Sequence, residues 1–293
     1  MRIHWFDEAS AFGRRLARGA GLPCSRIRVH HFPDGESLVR VEPTREKRAV
    51  LLCALHVPNA KLVETLLAAD ALRRTGVRRL TLCAPYLPYM RQDRVFRTGE
   101  CLSQQAVVGR LLGGAFDALV TVEPHLHRVR SLSDVFPGRA RALAAAPLLA
   151  RWLSRGPRRT LLVGPDAESG PWLAPLARAC GLPLAVGEKR RTGDARVNIA
   201  FPELPERGIA RAVVVDDIAS SGATLASAAR ALRRAGIPTV DALVVHALFA
   251  PGALERIRRA GVRRIVSTDS IPHATNALSL APLLARTLSR AAA

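Results

Sequence analysis

Short apolar runs rich in β-branched residues recur along the chain, at residues 49–55, 80–84, 118–122, 160–163, 212–215, 240–246 and 264–267. Segments with apolar residues at helical spacing, such as 63–74 and 224–234, lie between several of them. A strand that is apolar along its whole length must be covered on both faces. Strands that alternate with helices meet that need as a parallel sheet with helices packed on it. The expected fold class is α/β, and 293 residues suffice for one large domain or two ordinary ones.

A faint internal echo bears on the second option. Ala71-Leu-Arg-Arg-Thr-Gly76-Val77 precedes the run at 80, and Ala231-Leu-Arg-Arg-Ala-Gly236-Ile237 precedes the run at 240; Arg258-Arg-Ala-Gly261-Val262 is a third copy. In each, a helix ends in basic residues and Gly supplies a left-handed cap before a strand. Any α/β protein repeats helix, Gly and strand, but the first two copies sit in opposite halves, as two similar domains would place them. Pro137-Gly138, an Ala-rich helix-like stretch over 140–153 and Gly156-Pro157 suggest a boundary in that region. The expected domains are 1–145 and 146–293. The tail 274–293 reads as one terminal helix, free to pack back on the first domain.

The formal net charge is +20, from 44 Lys and Arg against 24 Asp and Glu, and the only lysines are Lys47, Lys61 and Lys189. A polyanionic partner, recognition of phosphate groups and a background bias toward Arg all produce such a balance, and charge alone does not choose among them. The arginines are scattered, with no long basic block and no basic run interleaved with aromatic side chains on which bases would stack. Nucleic acid is therefore not an expected partner. Cys24, Cys53, Cys83, Cys101 and Cys180 are widely spaced and form no CxxC pair, which suits a reducing compartment better than a disulfide framework or a zinc site. The first ten residues lack an apolar leader segment, and no apolar run approaches the roughly 18 residues of a membrane span. A soluble, cytoplasmic protein with no membrane partner is expected.

The segment Val213-Val-Val-Asp-Asp-Ile-Ala-Ser-Ser-Gly-Ala-Thr-Leu225 carries the most chemical information. A β-branched strand runs into two acids, Asp216 and Asp217, then a loop of small residues, Ser220, Ser221, Gly222, Ala223 and Thr224, then a helix. At such a turn the N–H groups of the helix N-terminus can hold a phosphate while the acids accept hydrogen bonds from sugar hydroxyls. A plain turn capped by Asp and Ser uses the same residue types. Two carboxylates side by side, however, repel each other unless a ligand engages them.

This segment resembles the phosphoribosyl-diphosphate loop of type I phosphoribosyltransferases and of ribose-phosphate diphosphokinases. Other segments resemble only the diphosphokinases: Phe32-Pro-Asp-Gly-Glu36 their FxDGE loop, Pro88-Tyr-Met-Arg-Gln-Asp-Arg94 their PYxRQDR segment, and Thr121-Val-Glu-Pro-His125 their T-x-D-x-H segment. Gly164-Pro-Asp166 is similar to their SPD turn and Lys189-Arg-Arg191 to their KRR loop. These matches keep the family's order over residues 28–272.

The resemblance implies two similar phosphoribosyltransferase-like domains, each a mainly parallel sheet flanked by helices. It implies Mg²⁺-dependent transfer of the diphosphoryl group of ATP to the anomeric hydroxyl of ribose 5-phosphate, with AMP leaving. Asp34, Gly35, Glu36, Arg91 and Gln92 would bind ATP, partly across a subunit interface, so a homo-oligomer of at least two chains is expected. His125 and Asp166 would coordinate or orient Mg²⁺, and Lys189 and Arg191 would be catalytic on a mobile loop. Asp216, Asp217, Ser220, Ser221, Gly222, Ala223 and Thr224 would hold ribose 5-phosphate.

Lys189 is notable without the resemblance: in a chain that otherwise uses Arg, a Lys inside Glu-Lys-Arg-Arg suggests a required compact ammonium, although a chance surface Lys has the same surroundings. His127 competes with His125, and the family segment favours His125. His30, His31, His246 and His273 read as structural, and Asp93 and Glu100 as ion-pairing residues, with Asp93 orienting Arg91. Ser220-Ser221 replaces the Asp-Thr pair of the common bacterial loop and looks closer to archaeal-type enzymes. Ala167-Glu-Ser-Gly170 stands where many members have a Gly-Gly pair, Glu123 stands in place of Asp, and the loop between Arg191 and Asn198 is shorter. A phosphoribosyltransferase using a phosphoribosyl diphosphate and a base, or a non-catalytic synthetase-like subunit, are the alternative functions.

Overall fold

The structure, a computed structural model, describes the chain except residues 7–8, 127, 193–195, 205–207 and 293, and describes residues 10, 189–192, 196 and 197 by backbone alone. The chain divides into two compact units. One comprises residues 1–144, 270–272 and 279–293, the other 145–269 and 273–278.

The first unit runs β1 (Arg2–Phe6), α1 (Ser10–Ala20), β2 (Cys24–His31), β3 (Ser37–Arg40), β4 (Arg48–Leu52), α2 (Pro58–Arg74) and β5 (Arg79–Ala84). A π-helical stretch, Gln104–Leu112, then leads into α3 (Gly113–Ala115), β6 (Ala118–Val122) and β7 (Arg139–Leu143). Its seven strands are ordered β3-β2-β1-β4-β5-β6-β7. All neighbours are parallel except β2 and β3. A terminal helix, Ala281–Ala292, lies on α1, where Ser289 Oγ donates to the Ala20 carbonyl at 3.1 Å.

The second unit runs α4 (Ala146–Leu153), β8 (Thr160–Gly164), α5 (Gly170–Cys180), β9 (Leu184–Val186), β10 (Glu188–Thr192) and β11 (Arg196–Ala200). It continues with β12 (Arg211–Ala219), α6 (Ala223–Arg234), β13 (Val240–Ala247), α7 (Ala253–Arg259), β14 (Val262–Thr268) and β15 (Asn276–Leu278). Its six-stranded sheet has the order β15-β14-β13-β12-β8-β9, and β10 and β11 form a separate antiparallel pair. The central strand β13 is buried from end to end. Helix α6 covers the sheet with Leu225, Ala226, Ala228, Ala229 and Leu232, spaced along one face. Small Ala side chains on the helix let it approach the Val-rich strands closely, which is how a core with few aromatic residues is filled.

Both sheets use one connectivity. From β1 the chain goes through α1 to β2 on one side and returns to β4 on the other; from β8 it goes through α5 to β9 and returns to β12 on the other. α1 and α5 also end alike. Gly21 and Gly181 take left-handed conformations with φ of 65° and 61°, and their N–H groups reach the carbonyls of Arg18 and Arg178, both at 3.2 Å. Gly21 and Gly181 are 160 residues apart, the same spacing as Ala71 and Ala231. The echo in the sequence is thus one part of a repeat that extends over the strand order.

Some sequence expectations are corrected. The strand before the paired acids does not stop at 215: β12 continues through Asp216 and Asp217 to Ala219. Residues 140–153 are not one helix, because Arg139–Leu143 forms β7, paired in parallel with β6, before α4 begins. Ala, Arg and Leu favour helix locally, and pairing at the sheet edge overrides that preference. The tail 274–293 likewise contains β15 before its helix, with Asn276 Nδ2 donating to Ser267 Oγ at 2.9 Å. Among the described residues no helix is long and apolar enough to cross a membrane.

At the edge of the second sheet where its strands begin, Asp241 is fully buried and takes hydrogen bonds from Arg211 Nε at 2.8 Å, Arg263 Nη2 at 3.1 Å and the Arg264 N–H at 3.2 Å. The Arg211 guanidinium also lies 4.7 Å from the centre of the Trp152 ring. Removing one partner of such a buried pair leaves a charge uncompensated, at a cost of about 3–5 kcal/mol.

In the first unit His4 is wholly buried, with Nδ1 3.2 Å from Ser25 Oγ and, among the described residues, no hydrogen-bond partner for Nε2. Burial pushes its pKa down from 6.5 to about 4; nearby Arg2 adds to the shift and Glu46 opposes it. As pH falls, the unfolded chain takes up this proton before the folded chain does. Stability is therefore intact above pH 6.5 and declines as pH falls toward 4, by about 3 kcal/mol in all. His4→Asn keeps an acceptor near Ser25 and does not titrate. Urea unfolding at pH 7 and pH ~4.5 should show a smaller acid-dependent loss in the variant, and equal losses in both proteins would refute the assignment.

Candidate active site

In a doubly wound parallel sheet, ligands bind at the carboxyl ends of the strands, in the crevice where the strand order switches direction. In the second unit that switch lies between β8 and β12. The residues that follow or end these strands are Asp166, two positions past β8, and Asp216 and Asp217 within β12. Asp166 starts a short 3-10 turn as a capping box: its Oδ1 accepts the Ser169 N–H at 3.3 Å.

After β12 the loop passes through Ser220, Ser221 and Gly222 into α6. Gly222 takes φ of 73°, and a Cβ on it would meet Ile257 side-chain atoms at 2.9 Å and the Ala253 carbonyl at 3.0 Å. This position therefore needs glycine for its backbone angle and for space. The loop is held from behind, where Ser220 O accepts the Ala250 N–H at 3.1 Å and Ser221 O accepts Arg256 Nη1 at 2.8 Å. Ala223 and Thr224 are its first helical residues and are half-buried. The first N–H groups of a helix have no partner within it, so a rigid loop ending here offers hydrogen-bond donors to an anion.

The β10–β11 hairpin follows β9, on the other side of β8. Gly187 makes the entry: a Cβ there would lie 2.7 Å from Ile199 and 2.8 Å from the Pro165 carbonyl, beside Asp166. Ile199 on β11 is buried and its N–H donates to Ser227 Oγ on α6 at 3.1 Å. The hairpin and the 220–224 loop thus share α6 as a support. In the hairpin register Lys189 opposes Ile199 and Arg191 opposes Val197. The side chains of Lys189 and Arg191 lie outside the described part, as does His127.

In the first unit the carboxyl edge carries the other expected residues. Among the described residues, those other than glycine with left-handed backbone are Val57 after β4, Tyr89 after β5, and Glu123 and His125 after β6, with φ of 50°, 62°, 39° and 52°. Such conformations are costly and gather at functional sites. Tyr89 hydroxyl bonds to Asn59 of α2, Gln92 O accepts the Gln104 N–H at 3.3 Å, and Gln92 Oε1 accepts the Ser103 hydroxyl. Arg91 is exposed.

Asp93 pairs with Arg128, at 2.9 Å and 3.1 Å to its two oxygens, and not with Arg91 as expected. That pair ties the loop after β5 to the segment carrying His125. Glu100 forms no ion pair among the described residues; its carboxylate caps a turn by accepting the N–H groups of Phe96 and Arg97 at 2.9 Å and 3.1 Å.

Asp34, Gly35 and Glu36 sit at the tip of the β2–β3 hairpin. The turn is closed by Phe32 N–H to Glu36 O at 2.8 Å, Gly35 N–H to Phe32 O at 2.9 Å and Glu36 N–H to Asp34 Oδ1 at 3.1 Å. β2 pairs with β1 only as far as Ile27 and then runs on with β3. Within one unit this tip is not adjacent to Arg91 and Gln92, because β2 and β5 are three strand positions apart, about 14 Å at the usual strand spacing. His31, read as structural, is engaged by Glu64 of α2 at 2.7 Å. Glu64, Arg128, Ser227 and Arg256 escaped the sequence reading because their partners are remote in sequence and none lies in a motif.

Residues 1–113 match the N-terminal domain of ribose phosphate pyrophosphokinase, and residues 133–282 match the phosphoribosyl transferase domain. The chain is 33% identical over 282 residues to the ribose-phosphate pyrophosphokinase of Methanopyrus kandleri, covering 95% of each sequence. It is 35% identical over 277 residues to the Aeropyrum pernix protein of the same name, covering 92% of this chain and 87% of that one. The crystal structure of phosphoribosylpyrophosphate synthetase from Mycobacterium smegmatis is similar over 99% of this chain and 98% of that one, with 27% identity and a TM-score of 0.81.

The two demands on Gly222 give a measurable consequence. Gly222→Ala should lower thermal stability by about 1–3 kcal/mol through backbone strain and displacement of Ile257. Gly114→Ala, where a Cβ meets nothing within 4 Å, should stay within about 0.5 kcal/mol of the parent. Equal unfolding temperatures for parent and Gly222→Ala would show that the loop has no such constraint.

Proposed function

The chain belongs to the ribose-phosphate pyrophosphokinase family, and we propose that the two carboxyl edges divide the work of its ATP-dependent synthesis of phosphoribosyl diphosphate. What supports this division is the switch in strand order between β8 and β12, since Asp166 and the 216–224 segment stand at or follow the carboxyl ends of these two strands. The 220–224 loop and α6 N-terminus hold the 5-phosphate of ribose 5-phosphate, while Asp216 and Asp217 accept hydrogen bonds from its ring hydroxyls. Asp34, Gly35, Glu36, Arg91 and Gln92 hold ATP.

In the reaction, the anomeric oxygen forms a bond to the β-phosphorus of ATP, the bond between that phosphorus and the oxygen bridging to the α-phosphorus breaks, and AMP leaves. The proton of the anomeric hydroxyl passes to solvent. Phosphoryl transfer is achieved chiefly by alignment and charge neutralisation. Lys189 and Arg191 neutralise the oxygens of the transferred group, on a hairpin that rises beside Asp166.

The donor set fits a Mg²⁺ ion that arrives with ATP. Among the described residues no three His, Cys, Asp or Glu side chains form a metal-holding cluster, and Mg²⁺ is commonly held by one or two carboxylates plus substrate phosphates and water. Asp166 would supply such a carboxylate, and His125 would coordinate or orient the ion, as the family resemblance implies. When bound, the ion would neutralise charge on the phosphate oxygens.

The separation of the β2–β3 tip from Arg91 and Gln92 within one unit supports an ATP site completed by a second copy of the chain. The first alternative, base transfer from a phosphoribosyl diphosphate, accounts for the 213–225 segment and leaves the Phe32–Glu36 and Arg91–Gln92 loops without a role.

AMP should form only when ATP, ribose 5-phosphate and Mg²⁺ are all present, in a coupled AMP assay. Lys189→Ala should retain ATP binding and lose turnover by about two orders of magnitude or more, as expected for a group acting on transition-state charge; unchanged turnover would remove Lys189 from this role. Glu36→Ala and Arg91→Ala should each be inactive, and a mixture of the two, after subunit exchange, should regain about a quarter of parental activity if each site uses both loops from different copies. A mixture that stays inactive despite exchange would assign both loops to one copy.

A further inference from the structure

His31 and Ser37 are the last cross-strand pair of the β2–β3 hairpin before its tip. One oxygen of Glu64, on α2, reaches both: Oε1 accepts from His31 Nε2 at 2.7 Å and from Ser37 Oγ at 3.2 Å. The Glu64 side chain is only 13% exposed, while that of His31 is 64% exposed. The carboxylate is therefore fixed in the body of the unit and reaches outward to the hairpin.

Residues 32–36 beyond this pair are all exposed, and their turn is closed by bonds among themselves. The Phe32 ring stands edge-on to His30 at 4.9 Å, again within the hairpin. Two residues below the closing pair, Val29 and Val39 oppose each other and pack against the core of the unit. That contact holds the hairpin down, but apolar burial is non-directional. The bonds from one carboxylate to both strands are directional, and they sit where a small rotation would be amplified at the tip.

We propose that Glu64 is a positioning residue for the Asp34–Glu36 loop: by gripping both members of the closing pair it sets where the loop meets the nucleotide. The nucleotide part of this inference rests on the assignment of that loop to ATP. Because Glu64 does not touch the reacting atoms, its loss weakens ground-state and transition-state binding of ATP alike, which raises KM and leaves kcat in place. Ribose 5-phosphate binding, assigned to the other unit, is not affected.

The test compares the parent with Glu64→Ala, Glu64→Gln, His31→Ala and the His31→Ala/Glu64→Ala double variant. Steady-state kinetics are paired with amide hydrogen exchange over residues 32–36, a readout that does not depend on activity. Glu64→Ala should raise KM for ATP about tenfold, keep kcat and KM for ribose 5-phosphate within about twofold, and speed exchange at the tip. Glu64→Gln, whose amide oxygen still accepts from both partners, should recover most of the loss, and His31→Ala should add nothing once Glu64 is gone. Unchanged exchange at 32–36 in Glu64→Ala overturns the clamp. Faster exchange with an unchanged KM for ATP overturns its link to the nucleotide, and a parallel loss of kcat, both KM values and melting temperature makes Glu64 merely structural. A parent that forms no AMP would refute the functional reading by itself, and the exchange data would still decide the clamp.

Discussion

The parallel pairing of β8 with β12 is the constraint on which the second unit rests. Val163 lies opposite Val214 in that pairing, and all four of its registered pairs are buried. Because the chain leaves β8 toward β9 and returns beyond β8 to β12, the connections on the two sides diverge and leave a gap at the carboxyl ends. Asp166 follows β8, Gly187 follows β9, and the 216–224 segment ends β12 and leads into α6, so where the strands end decides where these residues stand. This buried pairing therefore does the positioning, and the polar residues of the loops inherit it.

The first unit repeats the scheme with different chemistry at corresponding points. Its β4–α2 turn corresponds to the β12–α6 turn, and both place a left-handed residue immediately before the helix, Val57 in one and Gly222 in the other. Between β4 and Val57 the residues are Cys53, Ala54, Leu55 and His56, with Leu55 fully buried and Lys61 Nζ donating to the Ala54 carbonyl at 3.2 Å. No acid pair or Ser-Ser-Gly loop is present there. The excursions after β2 and β9 correspond too, and one carries Asp34 and Glu36 while the other carries Lys189 and Arg191. One strand plan thus bears an acidic hairpin tip in one copy and a basic hairpin in the other.

What could be read from the sequence follows from how local each signal is. The β-branched runs at 80–84, 118–122 and 240–246 announce buried parallel strands because burial on both faces requires continuous apolar character. The edge strands β7 and β15 carry no such run, and Arg139–Leu143 resembles a helix in composition, so pairing with a neighbour decides its state. The family motifs located the loops. They did not disclose that Asp93 belongs to Arg128 or that His31 belongs to Glu64, since those partners are 35 and 33 residues away and depend on which strands become neighbours. The repeat is legible at Ala71 and Ala231, and its extension is also written in the sequence, where Leu16-Ala-Arg and Gly21-Leu-Pro match Leu176-Ala-Arg and Gly181-Leu-Pro, a match that escaped the sequence reading.

The Asp241 cluster binds the starts of β12, β13 and β14, whereas the loops around Asp166 and Ser220 follow the opposite ends of their strands. Cohesion and the proposed ligand contacts therefore fall to different residues a strand length apart. The loop residues around Asp166 and Ser220 can change without first disturbing Arg211, Asp241 or Arg263. Drift at those three positions shortens the lifetime of the folded chain whatever its loops recognise, so the two edges are open to selection on different properties.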